Sequence, residues 1–201
     1  MTRDEVLAIF HRTHSLLEGH FQLTSGLHSS QYFQCAKVLQ YPRYAELLCT
    51  EIANHFAGAG IDAVMAPALG GIVVGQEVCR LLALRGGAAG LRMMFAERKD
   101  GVMQLRRGFE LKRGERVLVC EDVVTTGGST AEVIKIVRAA GAEVIGAACI
   151  VDRSGGKVRF DVPPDSQFAV LRLEVVASPP DNCPLCMKKI PVDKPGSRAN
   201  A

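Results

Sequence analysis

The sequence predicts an α/β protein with a mostly parallel sheet flanked by helices, and three observations carry that prediction. From Ala63 onward, strand-like apolar runs alternate with segments of helical apolar spacing. The connections between them are short. Runs such as Val117-Leu118-Val119-Cys120 are continuously apolar, as strands covered on both faces are.

Taken in order, Thr2 with Glu5 forms a capping box, and Val6, Ile9, Phe10, Thr13, Leu16 and Leu17 make one apolar stripe, so a first helix is expected. His20 to Leu39 alternates around Ser25-Gly26, which fits strands or a hairpin rather than a helix. Pro42 should start a helix that runs to about Phe56, burying Leu48, Ile52 and Phe56 and ending at Gly58 and Gly60. Strand Ala63–Ala66, helix Ile72–Leu84, strand Leu91–Ala96 and a hairpin over Glu97–Phe109 are expected next. Strand Arg116–Glu121, helix Thr130–Ala140, strand Glu143–Val151 and strand Phe168–Leu173 follow. From Pro179 onward Pro, Gly and Lys crowd the chain, and irregular structure is expected.

A chain of 201 residues suffices for one domain over residues 1–201, with no room for a separate effector domain. Hydrophobic residues make up 48% of it, yet no run reaches the roughly 18 apolar residues of a membrane span. The N-terminal MTRDEVLAIF carries acids where a signal peptide would not, so a soluble, cytoplasmic protein is expected, with no membrane partner. A net charge of +3 suits anionic small molecules, but the Lys and Arg residues are dispersed, and no nucleic-acid partner is expected. The seven cysteines imply no disulfide framework, since Cys79, Cys120 and Cys149 sit in apolar patterns as small hydrophobes. Cys183-x-x-Cys186 is a single pair where a closed zinc site needs four ligands, and His11, His14, His20, His28 and His55 show no ligand spacing. Tail packing, with no structural metal, is the expectation there.

The segment Val117 to Thr130, VLVCEDVVTTGGST, carries most of the chemistry. Glu121 and Asp122 emerge at the carboxyl end of a buried strand, where open α/β sheets place ligands. Beyond them, Thr125, Thr126, Gly127, Gly128, Ser129 and Thr130 offer unhindered N–H groups and hydroxyls at the positive end of a helix, a cradle for a phosphate. Carboxylates repel phosphate, so an acid pair this close makes sense if it faces hydroxyls or a cation some ångströms away, as a ribose 5-phosphate would supply. An ordinary βα turn with Asp122 as a helix cap is the plain alternative, and the full acid, acid, two hydrophobics, T-T-G-G-S-T run weighs against it. Neither G-x-x-x-x-G-K-[ST] nor a G-x-G-x-x-G after a strand occurs.

This segment resembles the 5-phosphoribosyl 1-diphosphate (PRPP) motif of type I phosphoribosyltransferases. The likeness runs from about Leu16 to Arg198, through Gly19-His20-Phe21, Ser25-Gly26, His28-Ser29, Pro67-Ala68-Leu69-Gly70-Gly71, Phe95-Ala96-Glu97-Arg98 and Leu105-Arg106-Arg107-Gly108-Phe109. It continues through Val151-Asp152-Arg153, Cys183-Pro184-Leu185-Cys186 and Lys194-Pro195-Gly196-Ser197-Arg198. This ordered set is similar to the orotate-using branch of the family, in its bacterial and archaeal form.

The resemblance implies the type I phosphoribosyltransferase fold, with a small hood from approximately residues 16–40 and 179–201 over a core of approximately residues 41–178. It implies Mg²⁺-dependent transfer of the 5-phosphoribosyl group from PRPP to orotate, giving orotidine 5′-monophosphate and pyrophosphate in pyrimidine synthesis. PRPP would be held by Glu121, Asp122, Val123, Val124, Thr125, Thr126, Gly127, Gly128, Ser129 and Thr130, and by Leu69, Gly70 and Gly71 of the pyrophosphate loop. Mg²⁺ would be held mainly by the substrate. Relatives often place a lysine where this chain has Gly70. Asp122, with Arg98, Lys99, Arg106 and Arg107 on a mobile loop, would be catalytic, and the loop would reach into the partner subunit of a homodimer. Many relatives carry a lysine and a histidine inside that loop, but Asp100 to Leu105 has neither, so the role passes to Arg106 or Arg107. Orotate would meet Thr125, Arg153, Ser25, Tyr32 and Phe33. Two alternatives are a purine-type phosphoribosyltransferase, which Asp152-Arg153 and Ser25-Gly26 weigh against, and a nucleotide-sensing nucleic-acid-binding regulator, which lacks the basic surface it would need.

Overall fold

A computed structural model describes residues 1–23 and 26–195. Helix α1 (Arg3–Arg12) opens on the expected capping box, Thr2 Oγ1 accepting from the Glu5 N–H and the Glu5 carboxylate from the Thr2 N–H. It stops sooner than the apolar stripe suggests. Thr13 turns its hydroxyl back to the Ile9 carbonyl (2.8 Å) and His14 adopts φ 50°, which ends the helix. Leu16 and Leu17 therefore begin strand β1 (Leu16–Gln22), which pairs antiparallel with β2 (His28–Phe33). Cys35–Leu39, expected as extended chain, instead forms the short helix α2, because a turn there buries Cys35, Val38 and Leu39 together. Helix α3 (Pro42–His55) starts on its proline and buries Leu48 and Ile52.

The main sheet follows from the alternation of strands and helices: β3 (Ala63–Pro67), α4 (Gly70–Leu84), β4 (Arg92–Lys99), β5 (Val102–Leu105), β6 (Arg116–Val124), α5 (Gly128–Ala139), β7 (Glu143–Asp152) and β8 (Gln167–Arg172). Its order is β5-β4-β3-β6-β7-β8, parallel throughout except for the antiparallel hairpin partner β5. The two-residue grain of the strands divides the core. Val64, Leu118, Cys120, Ala148 and Ile150 face a cluster with α1, α3 and α4, while Met65, Val117, Val119 and Ala147 face α5 through Val133, Ile134 and Val137. Parallel register brings the carboxyl ends of β3, β4, β6 and β7 to one edge, where Pro67 lies opposite Ala96 and Val124 opposite Asp152.

Over that edge lies a second sheet, β1-β2-β9, in which β9 (Ala177–Ser178) pairs with β2. The chain after it is not wholly irregular: Pro180–Asn182 forms a short 3₁₀ turn and Pro184–Met187 a single helical turn, α6. Asp193 then lies beside β1, accepting from the Gln22 N–H and donating to the His20 carbonyl, each at 2.8 Å. This return corrects one expectation. His20 and His28 do not stand clear of Cys183-x-x-Cys186, because the hairpin register and the folded-back tail bring all four side chains together. Among the described residues no helix is long and apolar enough to cross a membrane.

Candidate active site

Between the two sheets lies a cavity of about 470 Å³, lined by Leu23, Tyr32, Phe33 and Cys35 from the small sheet and α2, and by Asp122, Val123, Thr125, Thr126 and Arg153 from the main sheet's carboxyl edge. Its floor is the turn from β6 into α5. Gly127 caps α5 in the left-handed conformation (φ 75°) and supplies no side-chain cap, which leaves the helix's first-turn N–H groups without an N-cap side-chain acceptor. A β-carbon at Gly127 would come within 2.6 Å of Val158 Cγ1 and 2.9 Å of Phe160 Cε1, so both the backbone angle and the space demand glycine. Thr125 and Thr126 are exposed beside it, and Thr130 is buried. These are the residues that the sequence marks as a candidate phosphate cradle, gathered on one turn.

The acid pair splits by environment. Asp122 is half-buried and lines the cavity, whereas Glu121 is only 7% exposed beneath it. Burial first, then the neighbouring Asp122 charge, hold the Glu121 carboxyl well above the usual carboxylate range. The glycines after β3 complete the arrangement. A β-carbon at Gly70 would overlap the Asp122 carboxylate, and one at Gly71 would lie 3.3 Å from Glu121 Oε1. Bare backbone at the start of α4 thus abuts the acid pair, and the side-chain-free Gly70 leaves Asp122 its place. Leu69 itself points outward, 82% exposed.

Arg153 follows β7, its N–H donating to the Val124 carbonyl at 2.9 Å, and its side chain is 8% exposed. Among the described residues its guanidinium has no hydrogen-bond or ion-pair partner, and its Nε is fully buried without one. Burial pulls its pKa down from the ordinary arginine value, against the opposing influence of Tyr32 and Cys35. A desolvated cation facing a cavity is a recognition element for an anion. Tyr32 and Phe33 form the opposite wall. Phe33 is anchored edge-on to Phe10 (centroids 5.5 Å apart), and burial raises the Tyr32 pKa.

The loop cations stand apart from this cavity. Arg107 holds Glu97 bidentately (Nε and Nη2, each 2.9 Å), Arg106 reaches the same carboxylate at 3.1 Å, and Arg98 pairs with Glu132 of α5. None of Arg98, Lys99, Arg106 or Arg107 lines the cavity in this conformation. Ser25 lies outside the described residues. Sequence reasoning missed Leu23, Gln34 and Cys35 as cavity lining and Val158 and Phe160 as the support of Gly127. These are apolar or neutral side chains without a chemical signature, and only the fold could reveal them.

The chain matches a family model described as the phosphoribosyl transferase domain over residues 43–171. It is similar to the orotate phosphoribosyltransferase of Chlorobaculum parvum, 55% identical over 201 residues, covering 100% of this chain and 99% of that protein. The orotate phosphoribosyltransferase of Pelotomaculum thermopropionicum is 56% identical over 198 residues, covering 98% of this chain and 99% of that one. Among solved structures, that of orotate phosphoribosyltransferase from Aeropyrum pernix has a TM-score of 0.67 at 23% identity, covering 84% and 94% of the two chains, a likeness of fold.

Proposed function

The chain belongs to the orotate phosphoribosyltransferases, within the phosphoribosyl transferase domain family, and from that premise we propose how its residues move the 5-phosphoribosyl group of PRPP onto N1 of orotate. The product is orotidine 5′-monophosphate, an intermediate of pyrimidine synthesis, and pyrophosphate leaves. As the C1–O bond breaks, positive charge grows on the ribose, so the protein's task is positioning and electrostatics. The 5-phosphate sits on the first-turn N–H groups of α5 with the hydroxyls of Thr125, Thr126, Ser129 and Thr130 around it. Asp122 orders the ribose diol from the cavity side, with Glu121 beneath it, and Val123 and Val124 carry the backbone between. The open backbone of Leu69, Gly70 and Gly71 receives the pyrophosphate.

The observation that carries the choice of base is Arg153, a buried guanidinium without a partner among the described residues, which lines the same cavity as Thr125 and Thr126. Its planar fork suits the orotate carboxylate, with Thr125 at the cradle side and Tyr32 and Phe33 as the wall against the ring.

Mg²⁺ fits this site as a substrate-borne ion. Asp122 offers one accessible carboxylate, and the residues described here gather no set of three carboxylates that could cage the ion alone. When bound it neutralises diphosphate and ribose oxygens. The loop arginines would act after leaving Glu97. A homodimer is supported by exposed apolar residues beside the site, Leu69 (82%) and Val73 (44%), next to a groove between α3 and α4. Seven free cysteines are in keeping with the cytoplasm.

Incubation with PRPP, Mg²⁺ and each of orotate, uracil, adenine, guanine and hypoxanthine, followed by nucleotide separation, tests the assignment. A nucleotide should form with orotate alone. Formation of a purine nucleotide at a comparable rate would move the substrate to another base.

A further inference from the structure

His20, His28, Cys183 and Cys186 meet outside the cavity, where the β1-β2 hairpin touches the C-terminal tail, and their ligand atoms all lie within 4.8 Å of one another. We propose that these four side chains form a structural zinc site that fastens the tail to the hairpin. The sulfur distances to His20 match the edges of a tetrahedron around an ion, and the two ring nitrogens need part by only about 0.5 Å to complete it. Zn–N bonds of about 2.0–2.1 Å and Zn–S bonds of about 2.3 Å put N–N edges at about 3.3 Å and N–S edges at about 3.6 Å. Here Cys183 Sγ and Cys186 Sγ lie 3.6 and 3.7 Å from His20 Nε2, Cys186 Sγ lies 3.2 Å from His28 Nδ1, and the two ring nitrogens are 2.8 Å apart.

Hydrogen bonding accounts poorly for the same cluster. His20 Nδ1 is 2.7 Å from the Ile190 carbonyl, which can only accept, so Nδ1 carries the proton and Nε2 of the neutral ring presents a lone pair. Three groups converge on that lone pair: His28 Nδ1, Cys183 Sγ and Cys186 Sγ. One acceptor cannot serve three donors, whereas a single cation at the centre takes one lone pair from each group. The Ile190 contact is also the kind of outer partner that orients a ligating histidine. His20, His28 and Cys183 are 4%, 7% and 2% exposed and Cys186 is half-buried, and with four protein ligands no position is left open, as structural rather than catalytic zinc requires.

The location gives the ion a role. The β1-β2-β9 sheet has only three strands, and β9 is two residues long, too little to hold itself together by burial. A metal tying the hairpin to residues more than 160 positions downstream would fix Tyr32 and Phe33, on β2, above the cavity.

Untagged full-length protein, purified without chelator, should carry about one zinc per chain by elemental analysis. After chelator stripping under reducing conditions, its melting temperature should fall and recover on adding Zn²⁺. Titration of the stripped protein with Co²⁺ should give a thiolate-to-cobalt charge-transfer band and the strong visible absorption of tetrahedral cobalt, both saturating at about one equivalent. Cys186→Ser, at a half-buried position, should leave about half the charge-transfer intensity and bind Zn²⁺ at least about tenfold more weakly, while Cys79→Ser changes neither. Reduced wild-type protein that shows no charge-transfer band would overturn the proposal. So would a Cys186→Ser protein that holds zinc as tightly as the parent, or a melting temperature indifferent to the metal.

Discussion

Replacing Arg153 should move activity and stability in opposite directions. In the unliganded protein Arg153 is 8% exposed, and among the described residues its guanidinium has no partner and its buried Nε is unsatisfied, so the residue is a cost to the fold that a ligand anion relieves. Each charge-assisted bond to a carboxylate is worth about 1.5–3 kcal/mol, and a bidentate pair, less the water that would enter an emptied pocket, leaves a net loss of about 3 kcal/mol in Arg153→Ala. At about 1.4 kcal/mol per decade this is a fall of about a hundredfold in kcat/KM for orotate. Arg153→Lys keeps the charge but not the fork and should fall about tenfold. Arg153→Met, which keeps the apolar stem without the charge, should lose as much activity as Arg153→Ala while melting no lower than the parent. Steady-state kinetics with orotate and PRPP varied separately, beside thermal melts, would check both halves. An Arg153→Ala enzyme with parental kcat/KM for orotate would refute the assignment, and a Met variant that melts far below the parent would show that Arg153 has a structural partner after all.

Gly127→Ala forces a side chain into a left-handed residue and against Val158 and Phe160; it should lower the melting temperature and weaken PRPP binding at least about tenfold, read by calorimetry. Glu121→Gln should raise the melting temperature of the unliganded protein, by little near pH 4.5 and by more as pH rises. A carboxyl whose folded pKa is raised contributes stability that is present below its unfolded value and lost as pH climbs toward the folded one, so a gap that widens toward acid would contradict it. Arg106→Ala and Arg107→Ala should differ from the parent in turnover far more than in ground-state PRPP binding, at least one of them by about tenfold or more in single-turnover rate. If both retain full activity, the loop is not catalytic.

The layers of this fold were legible because each β-strand of the main sheet carries its own signature. Val117 to Cys120 and Ala63 to Ala66 are apolar at every position, which only a two-sided burial explains, and they lie next to each other in the sheet. The turn from β6 into α5 was legible for a related reason: Gly127 must be glycine on backbone and steric grounds, and such demands leave a mark on a sequence. The small sheet was legible only in part. The alternation around Ser25-Gly26 marked the β1-β2 hairpin, but β9 is two residues long and joins it from the far end of the chain, with no pattern of its own. Spacing rules for metal ligands fail there because they presuppose ligands on one local unit, whereas His20 and Cys183 are 163 positions apart and meet only in the folded chain. The end of α1 was misjudged because the stripe through Leu16 and Leu17 continues in strand β1, and the break is set by a threonine hydroxyl and the left-handed His14 rather than by hydrophobicity.

Charge balance ties the remaining features of the site together. Among the described residues that line the cavity, Arg153 is the one cation, and it stands at the base end. Beside Gly70 and Gly71, where the proposed reaction puts the pyrophosphate, stand Asp122 and the buried Glu121 carboxyl, and the space that a side chain at Gly70 would take is held by the Asp122 carboxylate. A diphosphate cannot settle against Glu121 and Asp122 by Coulomb attraction, and backbone N–H groups supply only partial charge. Under the proposed reaction the missing positive charge has two sources: the Mg²⁺ carried by the diphosphate, and Arg106 and Arg107, which Glu97 now neutralises. On that reading loop closure would be an exchange of anions, in which the arginines give up one carboxylate for the phosphates. Under that reaction, pairing with Glu97 would keep their charge from holding pyrophosphate after turnover, since a reopening loop would hand the arginines back to a partner already in place.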